Sequence, residues 1–173
     1  MRIYLIGYMG SGKTRFGAEM SEKTGYPFID TDELFESKYR ISIVDFFDKY
    51  SEETFRMIER DILRETIIYQ DAIIATGGGT PCFYNNMEFI KENGISIYLK
   101  MNLPSLVRRL AVVKKKRPLL KDKPVKEMEK YIETQIAERE KYYTLADFIV
   151  DAETVSTIEI CELIPNLSPP NQL

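Results

Sequence analysis

Residues 7 to 14 read Gly7-Tyr8-Met9-Gly10-Ser11-Gly12-Lys13-Thr14, fitting G-x-x-x-x-G-K-[ST] at every fixed position. Few octapeptides restrict a fold as tightly. The glycines let the backbone curl so that several N–H groups converge on one phosphate, aided by the positive end of the following helix's dipole. Gly10, Ser11 and Gly12 would form the cradle, Lys13 would reach the β- and γ-phosphates of a nucleotide, and Thr14 would hold Mg²⁺. The pattern carries this meaning only between a buried strand and a helix. Both flanks are present, since Ile3-Tyr4-Leu5-Ile6 is a continuous apolar run and Thr14 to Thr24 is helix-patterned. An ordinary Gly-rich turn is the alternative reading.

The rest of the chain repeats this alternation. Phe28-Ile29, Ala72 to Ala75, Ile95 to Leu99 and Phe148 to Val150 are short apolar runs, as expected of strands covered on both faces. Glu52 to Tyr69 and Val125 to Tyr143 are helix-patterned. In the first, Phe55, Ile58, Ile62 and Leu63 recur at helical spacing, with Arg56, Arg60 and Arg64 on another line. Asn85 and Asn86 suit a helix N-cap, and Asn93-Gly94 suits a helix stop. The alternation predicts an α/β fold, a three-layer α/β/α sandwich around a five-stranded parallel sheet. At 173 residues the chain makes one domain, over 1–164. Residues 165–173, aperiodic and with two adjacent prolines, read as a flexible tail.

Composition removes several function classes. The chain has no His, which excludes Ser-His-Asp and Cys-His catalysis, His-ligated zinc and a histidine base. Acid–base work falls to carboxylates, Lys, Tyr or Cys. The two cysteines, Cys82 and Cys161, form no CxxC pair, and no apolar run approaches a membrane span. The N-terminal apolar stretch is too short for a signal peptide, so a cytoplasmic protein is expected. A net charge of −3 does not suggest bulk nucleic-acid binding. The Asn-Lys-x-Asp guanine reader of a GTP switch is absent. A motor would need more chain and an acidic residue ending an apolar strand, where this chain has Gly77-Gly78-Gly79 after Ala75-Thr76. The size fits a compact kinase.

Two further features point the same way. Asp30-Thr31-Asp32 closes the second strand candidate, where open α/β sheets bind ligands. Acids at i and i+2 can divide labour, one facing the metal's water shell and one the acceptor alcohol; either could instead cap the next helix. Gly77-Gly78-Gly79 allows close backbone approach and offers N–H donors to a ligand, or is a flexible turn.

Taken with Phe55-Arg56-x-x-Glu59, Arg117-Pro118-Leu119-Leu120 and Arg139-x-x-x-Tyr143 before Ala146-Asp147, the chain closely resembles the shikimate kinase family, over about residues 2 to 160. The resemblance implies a nucleoside-monophosphate-kinase-like P-loop fold and transfer of a phosphoryl group from ATP, with Mg²⁺, to the 3-hydroxyl of shikimate in chorismate synthesis. It implies that Asp30 holds Mg²⁺ through water beside Thr14, and that Asp32 contacts the reacting hydroxyl as base. Arg56 and Arg139 would hold the shikimate carboxylate, with backbone donors from Gly78 and Gly79, and Glu59 would orient that network. Phe47 and Phe55 would wall the ring, Arg109 would stack on adenine, and Arg117 would close over the phosphates. Shikimate and ATP are then the partners, with no nucleic acid or membrane, and a monomer is expected.

The residue chemistry agrees. Arg56 and Glu59, at i and i+3, share a helix face, and Arg suits a planar carboxylate because its fork bonds bidentately. The basic, proline-containing stretch within 112–125 lacks the aromatics of a base-stacking patch and suits a mobile lid ordered by triphosphate. Three departures stand out. Ser51 replaces the usual Gly, Asp151-Ala152-Glu153-Thr154 lacks the Arg that some relatives place near adenine, and Thr80-Pro81-Cys82 is an uncommon continuation of the triplet. Gluconate kinase, another small-metabolite kinase of this fold, and a catalytically silent nucleotide-binding module are the alternatives.

Overall fold

In the computed structural model, which describes residues 1–113 and 125–167, all five apolar runs become strands. They are β1 (Arg2–Ile6), β2 (Phe28–Asp30), β3 (Ala72–Ala75), β4 (Ile95–Lys100) and β5 (Phe148–Asp151). The sheet order is β2–β3–β1–β4–β5, parallel throughout, with Ile3 opposite Ile73 on one side and Ile95 on the other. Side chains alternate faces along a strand, yet Ile3, Tyr4, Leu5 and Ile6 are all fully buried. Both faces of β1 are therefore covered, which is why its sequence is a continuous apolar run.

The covering helices are α1 (Lys13–Thr24), α2 (Thr31–Tyr39), α3 (Ile43–Lys49), α4 (Glu52–Glu65), α5 (Asn86–Asn93), α6 (Leu103–Val113), α7 (Val125–Tyr143) and α8 (Thr157–Leu163). Parallel crossovers are right-handed. The β1-to-β2 connection runs opposite to the later ones, so α1 lies on one face and α4 to α7 on the other. The chain end returns to the first face, where α8 packs on α1. A second, smaller core stands beside the sheet. There Phe35, Phe46, Phe55 and Ile62 are buried together, with Phe35 and Phe46 edge to face at 5.1 Å between centroids. This cluster ties α2 and α3 to α4. No helix among the described residues is long and apolar enough to cross a membrane.

Several local details differ from the sequence reading. The helix expected over 52–69 ends at Glu65 and tightens into a 3₁₀ turn, Thr66–Ile68. There the Thr66 hydroxyl donates to the Leu63 carbonyl at 2.6 Å and meets the Tyr4 hydroxyl at 3.0 Å. Asn85 precedes α5, but its side chain does not cap it. Instead the amide oxygens of Asn85 and Asn86 accept from Arg64, at 2.5 and 2.8 Å, which fastens α5 to α4. Gly94 stops α5 in extended rather than left-handed backbone, and what calls for glycine there is space, since a Cβ would lie 2.4 Å from the Arg2 carbonyl oxygen. Pro165 and Asn166 turn the chain so that Leu167 packs on the main core; 168–173 lie outside the described residues.

Ser51 acquires a reason here. Its hydroxyl accepts from the Thr54 N–H at 3.2 Å, capping α4, the helix that carries Arg56 and Glu59. Ser51→Ala should cost about 1 kcal/mol of stability and Ser51→Gly only a few tenths, roughly, in urea unfolding. An unchanged midpoint in Ser51→Ala would mean that the cap contributes nothing.

Candidate active site

The parallel sheet delivers the ends of β1, β2 and β3 to one edge, and the site is built there. Gly10 and Gly12 have φ of 84° and 100°, backbone that favours glycine, and they bring the loop after β1 into the start of α1. Lys13 folds back so that its ammonium donates to the Gly7 and Tyr8 carbonyls at 2.8 and 3.0 Å. The Ser11 hydroxyl is fully buried with no hydrogen-bond partner. Thr14 donates to Asp30 Oδ2 at 2.9 Å, and Asp30 Oδ1 accepts from the Asp32 N–H at 2.9 Å. Asp30 thus caps α2 with one oxygen and meets the cradle with the other. Arg109 reaches across from α6 and donates to the Gly10 carbonyl at 3.2 Å. A cavity of about 560 Å³, counting the open space at its mouth, opens over this loop, lined also by Asp32, Thr76 and Gly78.

A second cavity of similar size adjoins it. Asp32, Phe47, Phe55, Arg56, Glu59, Gly78, Gly79 and Arg139 all line it, so every acceptor-site residue expected from the sequence comes together. Met9, Ile43 and Gly77 complete the wall. Met9, Asp32 and Gly78 line both cavities, which makes Asp32 the one carboxylate among the described residues at their junction.

The polar wall of the second cavity is buried and paired. Arg56, 6 % exposed, donates to Glu59 Oε2 at 2.7 Å. Its other edge meets Glu52 Oε1 at 3.0 and 3.2 Å, and its plane lies 4.1 Å from the Phe83 ring centroid. Glu59 Oε1 accepts from the Thr80 hydroxyl at 2.7 Å. One carboxylate therefore joins Arg56 on α4 to the segment that follows the glycine triplet. Gly79 is required for this packing, because a Cβ there would lie 2.7 Å from Arg56 Nη1. Arg139, on α7, bonds Gln135 at 2.5 Å and lies 5.4 Å from the Tyr8 ring centroid. Cys82 sits nearby. Burial pushes its thiol up to about 11, against the pull of Arg139 and Arg56, so it stays neutral near pH 7.

The expected lid fares differently. Of 112–125, residues 114–124 lie outside the described residues, and Arg117 is among them. At the other departure, Glu153 accepts from Ser105 at 2.5 Å and from the Asn102 backbone at 3.2 Å, holding the first turn of α6 to the end of β5. The sequence reading named Gly77 within the triplet and Thr80 just after it but gave neither a place in the site, although Gly77 lines the cavity and Thr80 bonds Glu59. It also missed Ile43, for which the short α3 offers no periodicity.

The sequence model of the shikimate kinase family matches residues 9–166. Shikimate kinases of Parabacteroides distasonis and Azobacteroides pseudotrichonymphae are each 40 % identical, over 90 % and 97 % of this chain and 90 % and 98 % of their own. The crystal structure of shikimate kinase from Bacteroides thetaiotaomicron superposes with a TM-score of 0.89 at 35 % identity, covering 94 % of this chain and 97 % of that one. Shikimate kinase from Acinetobacter baumannii, solved in complex with shikimate, gives 0.84 at 30 % identity, covering 94 % and 89 %.

The paired wall makes a stability prediction. Glu59 is 5 % exposed and bonded on both oxygens, whereas the Glu52 side chain is 51 % exposed. Glu59→Ala should cost about 3 kcal/mol or more, by leaving Arg56 and Thr80 short of a buried partner. Glu52→Ala should cost less than about 1 kcal/mol. Similar urea midpoints for the two variants would contradict the assignment.

Proposed function

The chain belongs to the shikimate kinase family and phosphorylates shikimate with ATP in aromatic amino acid biosynthesis, and we propose how its residues divide that work. The cavity over residues 10–14 takes the ATP phosphates, and the adjoining cavity takes shikimate. The observation that carries this division is the place of Asp32, which lines both. A group held there meets an acceptor hydroxyl on one side and a γ-phosphate on the other.

Arg56 and Arg139, from two different helices, hold the shikimate carboxylate, while Phe47 and Phe55 face its ring. Binding turns part of Arg56 from the half-exposed Glu52 to the substrate, and leaves its inner bond to Glu59 in place. The 3-hydroxyl oxygen attacks the γ-phosphorus as Asp32 accepts its proton, and the bond to the β,γ-bridging oxygen breaks to release ADP. Lys13 exchanges its two loop carbonyls for phosphate oxygens. Arg117 neutralises charge from the lid, and Arg109 on α6 borders the nucleotide.

Mg²⁺ fits the residues at the cradle. Thr14 Oγ1 and Asp30 Oδ2 are oxygen donors 2.9 Å apart at the phosphate cavity, and no cluster of three acidic or thiol ligands occurs among the described residues. Such a donor set suits an ion held mainly by phosphates and water. Bound there, Mg²⁺ would neutralise charge on the β- and γ-phosphate oxygens.

Asp32→Asn should retain ATP affinity and lower turnover by about 10² or more in a coupled ADP-release assay with shikimate. Turnover within about tenfold of the parent would remove Asp32 as the proton acceptor.

A further inference from the structure

Tyr143 ends α7 fully buried, with its ring centroid 5.0 Å from that of Tyr98. Its hydroxyl donates to the Gly78 carbonyl at 2.5 Å, although 65 residues separate the two. Gly78 and Gly79 line the acceptor cavity and Tyr143 does not, so the phenol reaches the triplet from behind. In a trans peptide the carbonyl of one residue and the N–H of the next point in opposite directions. A Gly78 carbonyl directed back at Tyr143 therefore directs the Gly79 N–H forward, towards the acceptor. Nothing in the glycines themselves enforces this, because a Gly-Gly peptide can rotate at little steric cost. Rotated, it would present a carbonyl oxygen to the acceptor's anionic and hydroxyl oxygens.

We propose that Tyr143 is a positioning residue, whose hydroxyl fixes the Gly78–Gly79 peptide so that the Gly79 N–H is offered to shikimate. The inference rests on the acceptor reading of this cavity and deepens it. Tyr143 lies one helical turn beyond Arg139, so one face of α7 supplies both an arginine of the clamp and the restraint on the triplet. Burial raises the phenol far above its ordinary pKa, with Cys82 adding to the rise and the neighbouring Arg139 opposing it. The hydroxyl thus remains a donor across the working range and adds no limb to the pH profile.

Tyr143→Phe removes the oxygen and keeps the ring. We expect the KM for shikimate to rise about fivefold, the scale of one net hydrogen bond. The KM for ATP should stay within about twofold and kcat within about threefold, because the donor acts alike in ground and transition states. The pH profile should superimpose on the parent's. Tyr98→Phe, which removes the hydroxyl bonded to Glu140 at 2.8 Å, is the packing control and should leave the KM for shikimate unchanged. An unchanged shikimate KM in Tyr143→Phe overturns the proposal, as does a parallel rise in both KM values or an equal rise in Tyr98→Phe. In the parent protein the Gly79 amide signal should shift when shikimate is titrated; an unmoved signal overturns the proposal without any variant. A parent that does not phosphorylate shikimate would instead overturn the acceptor reading itself.

Discussion

The buried pair of Arg56 and Glu59 is the contact on which the acceptor cavity depends. An arginine 6 % exposed needs a carboxylate at hand, and Glu59 supplies one at 2.7 Å from a position three residues along the same helix. Because Glu59 also accepts from Thr80, the pair fixes α4 relative to the segment following β3. The aromatic cluster of Phe35, Phe46 and Phe55 packs the same helix, α4, against α2 and α3. With Arg56 so held, one edge of its guanidinium is committed inward and the other meets only a half-exposed glutamate. That is how one side chain can be both structural and available.

Phosphoryl transfer asks for proximity between two sites more than for exotic side chains. The parallel sheet meets that demand geometrically, since the cradle, Asp30 and the glycine triplet all lie at or just past the ends of strands that finish at the same edge. A chain without histidine is no poorer for it. In the proposed mechanism, Asp32 at the shared wall, charged donors for the phosphates and backbone N–H groups take the place of a histidine.

Much of this was legible in the sequence because it is local. The cradle is eight consecutive residues, the strands are uninterrupted apolar runs, and Arg56 with Glu59 is an i,i+3 pair. The acceptor residues, scattered from Asp32 to Arg139, were legible through the ordered set of family motifs, which composition and periodicity alone do not supply. What escaped was tertiary. The helices α2 and α3 are short, and their rings gain meaning only when three helices stack them together. Asn85 looked like a cap, but its side-chain oxygen is taken by Arg64, 21 residues earlier. The bond from Tyr143 to Gly78 has no local signature at all. Ser51 and Glu153, departures from the family pattern, proved to be caps and ties for the helices that bear site residues.

The central claim is that two guanidinium groups from different helices meet on one carboxylate of the acceptor. Comparing kcat/KM for shikimate and for its methyl ester, at saturating ATP and Mg²⁺, tests it most directly. The ester keeps the ring and all three hydroxyls, loses the negative charge and gains one methyl group. The account predicts a fall in kcat/KM of about 10² or more, the loss of a charge-assisted, bidentate contact in a buried site. Comparable values for acid and ester would contradict it: the cavity beside Asp32 would then hold no carboxylate clamp.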